Sequence, residues 1–294
     1  MTARETFAEF AASRRALVER ELDRRLPPAA AEPRPLAEAM RWSVFGGGKR
    51  IRPLLALAAA RALDLPEEPA LPAACALELL HTYSLIHDDL PCMDDAELRR
   101  GRPACHKAFG EAVAVLAGDA LATLAFEVAA APGPAPATRA TLVVELTRAA
   151  GIEGMIGGQI ADLRSLRPGA DLATVEFVHS RKTGRLFVLC VRAAASLARA
   201  RAAEVAALEA YARNLGLAFQ VTDDLLDATS TAEALGKDTA RDRGKTTFVD
   251  LCGVGEARRL ASDLVGTAKE ALAPFGKRSR VLSAIADYVL ARVR

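Results

Sequence analysis

The sequence predicts an all-α protein, and three observations support that prediction. Hydrophobic residues make up 51% of the 294 residues but aromatic residues only 5%, with alanine and leucine abundant, a composition that favours helices over sheets. Apolar residues recur at intervals of three and four along most of the chain. No segment alternates apolar and polar residues as a half-buried strand does.

The predicted helices follow one another from end to end, separated by turns rich in proline and glycine. Thus a first helix ends at Pro27 and Pro28, and Pro53 suits the first turn of a later one. A turn-rich link, Asp64–Pro72, leads into the helix that carries the first acidic motif. The other predicted helices are Thr2–Leu26, Leu36–Val44, Pro53–Leu65, Lys107–Ala130, Thr138–Gln159, Leu172–Ala200, Ala202–Asp227, Gly255–Ala273 and Lys277–Arg294.

Composition and local sequence argue against several classes of function. Lys and Arg number 39 against 37 Asp and Glu, and a net charge of +2 gives no reason to expect nucleic acid as a partner. The five cysteines are scattered without a Cys-x-x-Cys pair, which indicates a reducing compartment. The N-terminus is charged where a signal peptide needs an apolar core. The most apolar stretch, Ala112–Ala131, is interrupted by Asp119 and Glu127, so we expect no membrane span and a cytoplasmic location.

A first acidic cluster closes an apolar helical run. Carboxylates at the C-terminal end of a helix face the negative end of its dipole, so several of them together favour a bound cation. Pro91 cannot continue the helix, and a turn over Leu90–Met93 could bring Asp94 back beside Asp88. Mg²⁺ takes carboxylate, water and phosphate oxygens as ligands. The alternative is a solvated acidic loop. The cluster comprises Asp88, Asp89, Asp94 and Asp95, followed by Arg99, Arg100 and Arg102.

A second acidic cluster lies far downstream. Gln220, Asp223 and Asp227 are spaced three and four residues apart, so one helix can project all three side chains to one side. A surface accident explains one such pair, but crowding carboxylates in two segments without a counter-ion is costly. Gly46–Gly48 precede three cations, at a point where backbone N–H groups can approach an anion, although the spacing is not that of a P-loop. The basic residues near the clusters are Lys49, Arg50, Arg52, Lys182, Lys237 and Lys245.

With both motifs and their flanks in view, the chain resembles the trans-polyprenyl synthase family, most closely the bacterial farnesyl diphosphate synthases. The resemblance implies an isoprenoid synthase fold, with helices around a deep central cavity, in a single domain over residues 1–294 that forms a homodimer. It depends on Gly47–Arg50, His81, Asp88-Asp89 with Asp94, Arg99–Gly101, Gly158-Gln159, Lys182–Gly184, Phe219-Gln220 and Asp223-Asp224 with Asp227.

The resemblance also assigns roles by position. The diphosphate of isopentenyl diphosphate is expected to bind Lys49, Arg52, His81 and Arg100. Mg²⁺ ions that bridge to the allylic diphosphate are expected on Asp88, Asp89, Asp94, Asp223, Asp224 and Asp227. Arg99, Lys182 and Lys237 would complete the allylic site, with Lys245 nearby. Thr183, Gln220 and Asp162 resemble the family's polar cavity positions.

The reaction implied is condensation of isopentenyl diphosphate with dimethylallyl and geranyl diphosphates to give farnesyl diphosphate. Tyr83 and Ser84 lie about one turn before Asp88 and resemble the family's chain-length positions. A bulky Tyr83, with two extra residues inside the first motif, resembles the fifteen-carbon pattern; the alternative is that Tyr83 only fills the core.

Other functions stay open at this point. They are a geranyl or geranylgeranyl diphosphate synthase, a terpene cyclase, and a non-catalytic prenyltransferase-like subunit. Three departures from the family pattern are Ala96 for a frequent aspartate, Ala240 for a usual glycine, and a segment between Asp242 and Lys245 that is shorter by two residues.

Overall fold

The computed structural model describes residues 6–131, 133–165, 169–229 and 245–293, and nearly all of its regular structure is α-helical. This confirms the predicted fold class. The helices are α1 (Phe7–Arg25), α2 (Arg34–Val44), α3 (Ile51–Ala62), α4 (Glu67–Asp88), α5 (Cys105–Phe109), α6 (Glu111–Ala129), α7 (Pro136–Ala150), α8 (Met155–Ser165), α9 (Leu172–His179), α10 (Arg185–Ala198), α11 (Ala202–Thr229), α12 (Phe248–Ala271) and α13 (Arg280–Ala291).

Three short pieces complete the regular structure of the described residues. A π-helical turn, Ser180–Gly184, joins α9 to α10, and a 3₁₀ segment, Ala273–Ser279, precedes α13. Strands Leu98–Arg99 and Arg102–Pro103 pair antiparallel in a two-stranded hairpin that the sequence did not predict. The hairpin holds the arginine-rich segment that follows the first acidic motif.

Helix α4 is the central element of the core. Leu77, Leu79 and Leu80 point to different sides of the helix and are all fully buried, so α4 is covered all round. It packs against α3, α6 and α10, and each fully buried leucine contributes roughly 1.5–3 kcal/mol to folding. The position of Asp88 at its C-terminal end is therefore fixed by the core.

Several predicted boundaries were wrong. Pro72 lies inside α4 rather than in a link before it, because the buried face of α4 outweighs the roughly 3 kcal/mol that an interior proline costs. The predicted helix Lys107–Ala130 is split at Gly110, whose φ of 85° is left-handed. The predicted helix Thr138–Gln159 is likewise interrupted between α7 and α8.

Helix α6 is the one candidate for a membrane span among the described residues. By length and apolar composition alone it could cross a bilayer, despite Asp119 and Glu127. It packs along α4 through buried Ala117, Leu121 and Ala125, as a core helix does. Of its most apolar window 39% is buried, so packing within the helical bundle explains part of this composition.

Candidate functional site

A cavity of about 1100 Å³ lies between the helices and is lined from α3, α4, α6, α8, α10 and α11, together with segments outside these helices. Asp88 on α4 and Asp223 on α11 both line it, although they are distant in sequence. The sequence-predicted residues that share this cavity are Lys49, Arg52, His81, Tyr83, Ser84, Asp88, Arg99, Arg100, Lys182, Thr183, Gln220 and Asp223.

The first acidic motif turns back on itself after α4, as predicted. The backbone N–H of Asp94 donates to the carbonyl oxygen of Asp88 at 2.9 Å, and that of Met93 donates to Leu90 at 2.9 Å. Asp89 is only 2% exposed, and its Oδ2 accepts from Nε of Arg99 at 3.0 Å. Asp88 therefore faces the cavity while Asp89 anchors Arg99.

Two lysines bridge the carboxylates near Asp88. Nζ of Lys182 lies 2.7 Å from Oδ2 of Asp162 and 3.9 Å from Asp88. Nζ of Lys245 lies 3.2 Å from Asp162 and 3.5 Å from Asp94. Burial would raise the pKa of Asp162, but these two ammonium groups lower it. Asp162 is therefore a charged link between the two lysines.

The pKa of Asp88 is shifted in the opposite direction from that of Asp162. Burial raises the pKa of Asp88, and the nearby carboxylates Asp94 and Asp162 raise it further, while Lys182 opposes the shift. A carboxylate in this position is held in an environment that favours an additional cation. The carboxylate of Asp88 is therefore a candidate metal ligand.

In the second acidic motif, as in the first, one aspartate lines the cavity and its neighbour makes buried contacts with the protein. Oδ1 of Asp223 accepts from Nη2 of Arg292 at 2.6 Å within the cavity lining. Asp224 is buried, and it accepts from Nε2 of Gln220 at 3.0 Å and from the backbone N–H of Phe248 at 2.9 Å. Asp224 thus joins α11 to the start of α12, whereas Asp227 is exposed near the end of α11.

The π-helical turn presents Lys182 and Thr183 to the cavity. Hydroxyl Oγ1 of Thr183 lies 3.4 Å from Oε1 of Gln220. A Cβ placed on Gly158 would lie 2.3 Å from the backbone nitrogen of Lys182, so this glycine lets α8 approach the turn closely. π-turns of this kind occur frequently at functional sites.

A group of basic residues lies at the start of α3 and beside α4. Lys49, Arg52, His81 and Arg100 all line the cavity. The guanidinium of Arg100 hydrogen-bonds the carbonyl oxygen of Gly47. A Cβ on Gly48 would lie 2.6 Å from Nη1 of Arg100 and would displace the end of that side chain, and the φ of 129° at Gly48 itself favours glycine.

Burial lowers the pKa values of two residues in this group, Arg52 and His81. The pKa of His81 lies well below its usual value, since the neighbouring guanidinium groups of Arg52 and Arg100 lower it further. His81 is therefore a neutral imidazole at physiological pH. Cations held this close to each other are stabilised by an anion, so the group is suited to a diphosphate.

A buried ion pair positions this loop. Nη1 of Arg50 lies 2.7 Å from Oε1 of Glu78 on α4, and Nη2 of Arg50 donates to the carbonyl oxygen of Val44 at 2.6 Å. Sequence reasoning counted Arg50 as a nearby cation and did not identify Glu78. Only the fold reveals that the pair connects the glycine loop to the helix that carries His81.

Apolar side chains line much of the remaining wall. Tyr83 lies on this wall with Ser84, and burial raises the pKa of Tyr83 to about 12. The apolar residues of the wall include Ala122, Phe126, Met155, Ile156, Ile160, Leu163 and Leu186. The cavity therefore combines a charged lining with a surface suited to a hydrocarbon chain.

Some predicted site residues lie outside the described residues. They are Lys237, Ala240 and the short segment that begins at Asp242. Conversely, Arg292 lines the cavity although no motif surrounds it in the sequence. Its only sequence signal was a positive charge near the C-terminus, so the fold was needed to find it.

The donors fit Mg²⁺ by type. Carboxylate oxygens of Asp88 and Asp223 share one cavity, and the raised pKa of Asp88 marks a site where an added cation is favourable. In the described part of the chain, no three His, Cys, Asp or Glu side chains are arranged to hold a metal ion by themselves.

Comparisons with known proteins agree with this geometry. The model of the family described as polyprenyl synthetase matches residues 33–282. A dimethylallyltranstransferase of Fischerella ambigua is 44% identical over 97% of this chain and 83% of its own length. A chloroplastic geranylgeranyl pyrophosphate synthase of Capsicum annuum is 45% identical over 89% of this chain and 72% of its own length.

Solved structures are similar along almost the whole chain. An FPP/GFPP synthase from Zymomonas mobilis superposes with a TM-score of 0.85 at 41% identity, covering 97% of both chains. A geranyltransferase from Legionella pneumophila gives 0.84 at 33% identity, covering 96% of this chain and 95% of its own.

Proposed function

This chain belongs to the polyprenyl synthetase family and is a short-chain trans-prenyltransferase, and we propose that its main product is farnesyl diphosphate. The substrates in this proposal are isopentenyl diphosphate and the allylic dimethylallyl and geranyl diphosphates. The observation that carries it is one cavity that is lined by an aspartate of each acidic motif, by a separate group of basic residues and by an apolar wall.

The charged residues are proposed to bind two diphosphates. Lys49, Arg52, His81 and Arg100 form the site for isopentenyl diphosphate, with the guanidinium groups donating to phosphate oxygens. The allylic diphosphate would lie among Asp88, Asp223 and the cations Arg99 and Lys182. Lys245 is close to the same carboxylates, and Lys237 remains a proposal by resemblance.

Asp88, Asp94, Asp223 and Asp227 are the proposed Mg²⁺ ligands, and we retain Asp89 and Asp224 on resemblance. When bound, Mg²⁺ would neutralise charge that grows on the departing diphosphate. Lys182 and Arg99 would stabilise the same charge from fixed positions. The apolar wall would exclude water from the allylic cation until the double bond of isopentenyl diphosphate attacks it.

Product length is the finer part of the proposal. Tyr83 on the cavity wall supports a fifteen-carbon limit, since its ring occupies volume that a longer chain would need. A geranylgeranyl diphosphate synthase is the second candidate, because relatives of that name are 43–45% identical to this chain.

The test is product analysis. Purified protein is incubated with isopentenyl and dimethylallyl diphosphates and Mg²⁺, and the dephosphorylated products are sized by chromatography. Farnesol as the main product supports the proposal, and geranylgeraniol supports the second candidate. If the protein condenses neither precursor, both candidate functions are rejected.

We also propose a cytoplasmic homodimer, as the resemblance implies. Leu116 is 57% exposed on α6, and Val115 and Val144 are exposed as well. We propose these side chains as part of the subunit interface, since contiguous exposed apolar patches mark protein–protein contacts. Light scattering coupled to size-exclusion chromatography would give twice the 31.1 kDa chain mass for a dimer.

A further inference from the structure

The imidazole of His87 is held between α4 and α6. Its Nε2 lies 3.1 Å from the carbonyl oxygen of Val115 and 3.9 Å from a carboxylate oxygen of Asp119. A Cβ built on Gly118 would lie 2.1 Å from that nitrogen and 2.5 Å from Cδ2 of the same ring. The ring therefore occupies the space that a side chain at position 118 would fill.

Helix propensity does not explain a glycine at position 118. Gly118 is buried in the interior of α6, where glycine is destabilising relative to alanine. The neighbouring contact positions Ala114 and Ala117 are alanine. Position 118 differs from them in that the ring of His87 lies against its Cα.

The same ring contacts Tyr83. The two residues are four apart on α4, and their ring centroids lie 5.6 Å apart with planes at 79°, an edge-to-face arrangement. Both side chains line the cavity, as does Asp119 on the facing helix. His87 thus contacts the chain-length residue on one side and α6 on the other.

We propose that Gly118 and His87 are specificity-determining positioning residues, which fix the ring of Tyr83 and thereby set the length of prenyl chain that the cavity accepts. This inference rests on the proposed function. Gly118 admits the imidazole, the imidazole supports Tyr83, and Tyr83 limits the depth of the cavity. None of the three needs to touch the reacting atoms to act in this way.

The two positions should act in opposite directions. In Gly118→Ala, the new methyl group displaces the imidazole away from α6, towards Tyr83 and the cavity, so less volume remains for the hydrocarbon chain. In His87→Ala, the support is removed and volume is gained. We expect Gly118→Ala to raise the share of the ten-carbon product severalfold, and His87→Ala to raise the share of products longer than wild type severalfold.

The double variant isolates the proposed route. If Gly118→Ala acts through the imidazole, then adding it to His87→Ala should leave the product distribution of His87→Ala unchanged. Gly266→Ala is the matched control, because Gly266 lies in α12 with no atom within 4 Å of an added Cβ. That control should give the wild-type distribution.

The experiment sizes the products of all variants with isopentenyl and dimethylallyl diphosphates, with thermal unfolding as a check on folding. An unchanged distribution in both single variants, or an equal effect of Gly118→Ala with and without His87, overturns the inference. If Gly118→Ala does not fold, His87→Ala and His87→Gln decide: Ala must lengthen the products, and Gln, which keeps most of the volume, must lengthen them less. A wild-type protein that condenses neither precursor rejects the proposed function instead.

Discussion

Nη2 of Arg292, just beyond α13, lies 2.6 Å from Oδ1 of Asp223 in the second acidic motif. The guanidinium also lies 4.6 Å above the ring of Phe219. Arg292 thus neutralises a carboxylate that we propose to hold Mg²⁺. A bound ion must compete with this ion pair.

Removing Arg292 should therefore strengthen Mg²⁺ binding to the substrate-free protein. A partly exposed ion pair contributes up to about 1 kcal/mol, so we expect roughly a fivefold lower Mg²⁺ concentration at half-maximal thermal stabilisation for Arg292→Gln. Arg259→Gln on the surface of α12 is the control, since Arg259 is 70% exposed and pairs with nearby Glu256. An unchanged Mg²⁺ midpoint in Arg292→Gln would contradict the competition.

Tyr83 is expected to limit product length. Tyr83→Ala removes a buried ring from the cavity wall and should shift the main product to a chain at least one five-carbon unit longer. Tyr83→Phe keeps the ring and should give the wild-type product. Chromatography of the dephosphorylated products measures both, and identical distributions for Ala and Phe would show that Tyr83 only fills the core.

The Arg50–Glu78 pair should be the most costly ion pair to break. Arg50 is 2% exposed and Glu78 is 1% exposed, so Glu78→Gln leaves the buried guanidinium with only the more distant and partly exposed carboxylate of Glu19, 3.6 Å away, as counter-charge. Loss of one partner of such a pair costs roughly 3–5 kcal/mol. We expect this decrease in the free energy of unfolding from urea denaturation.

The control for this change is Glu38→Gln, which breaks the exposed Arg34–Glu38 pair on α2. An exposed pair contributes about 0–1 kcal/mol, so that variant should unfold almost as wild type does. Equal losses in the two variants would mean that burial of the Arg50–Glu78 pair has no energetic consequence.

His179 should make stability depend on pH. Burial lowers its pKa to about 4 from 6.5, and its ring packs against Phe248 with centroids 5.6 Å apart. Below pH 6.5 the unfolded chain binds a proton that the folded protein does not bind until about pH 4. The contribution of His179 to the free energy of unfolding is therefore complete above pH 6.5. It decreases as the pH falls towards 4, by up to about 3 kcal/mol.

His179→Gln should flatten this dependence, because glutamine does not titrate. Urea unfolding at several pH values between 4 and 8 measures the difference between variant and wild type. A variant that loses stability towards low pH as steeply as wild type would show that other groups carry the effect.

The fold class could be predicted because helical periodicity is a local property of the sequence. Breaks within helices were harder to foresee. The π-turn at Lys182 has no local signal, since it depends on how α8 packs at Gly158. Pro72 gave a local signal for a helix end, but the burial of α4 outweighed that local preference and the helix continues through it.

The candidate site could be predicted as motifs but not as individual contacts. Adjacent residues in a helix point about 100° apart, so spacing alone does not tell which of Asp88 and Asp89 lines the cavity, and the fold shows that Asp88 does. The same holds for Asp223 and Asp224, of which Asp224 binds the start of α12. Arg292 and Glu78 depend on long-range contacts that spacing does not reveal.

The decisive test concerns Asp88 and Asp223, which line one cavity from two helices. Single-turnover condensation of geranyl diphosphate with isopentenyl diphosphate is measured for wild type, Asp88→Asn and Asp223→Asn at saturating Mg²⁺. If both carboxylates help to stabilise the departing diphosphate, each variant should lose roughly 10²–10³ in rate, as enzymes do when one electrostatic stabiliser is removed. A wild-type rate in either folded variant would contradict the proposed joint action of the two motifs.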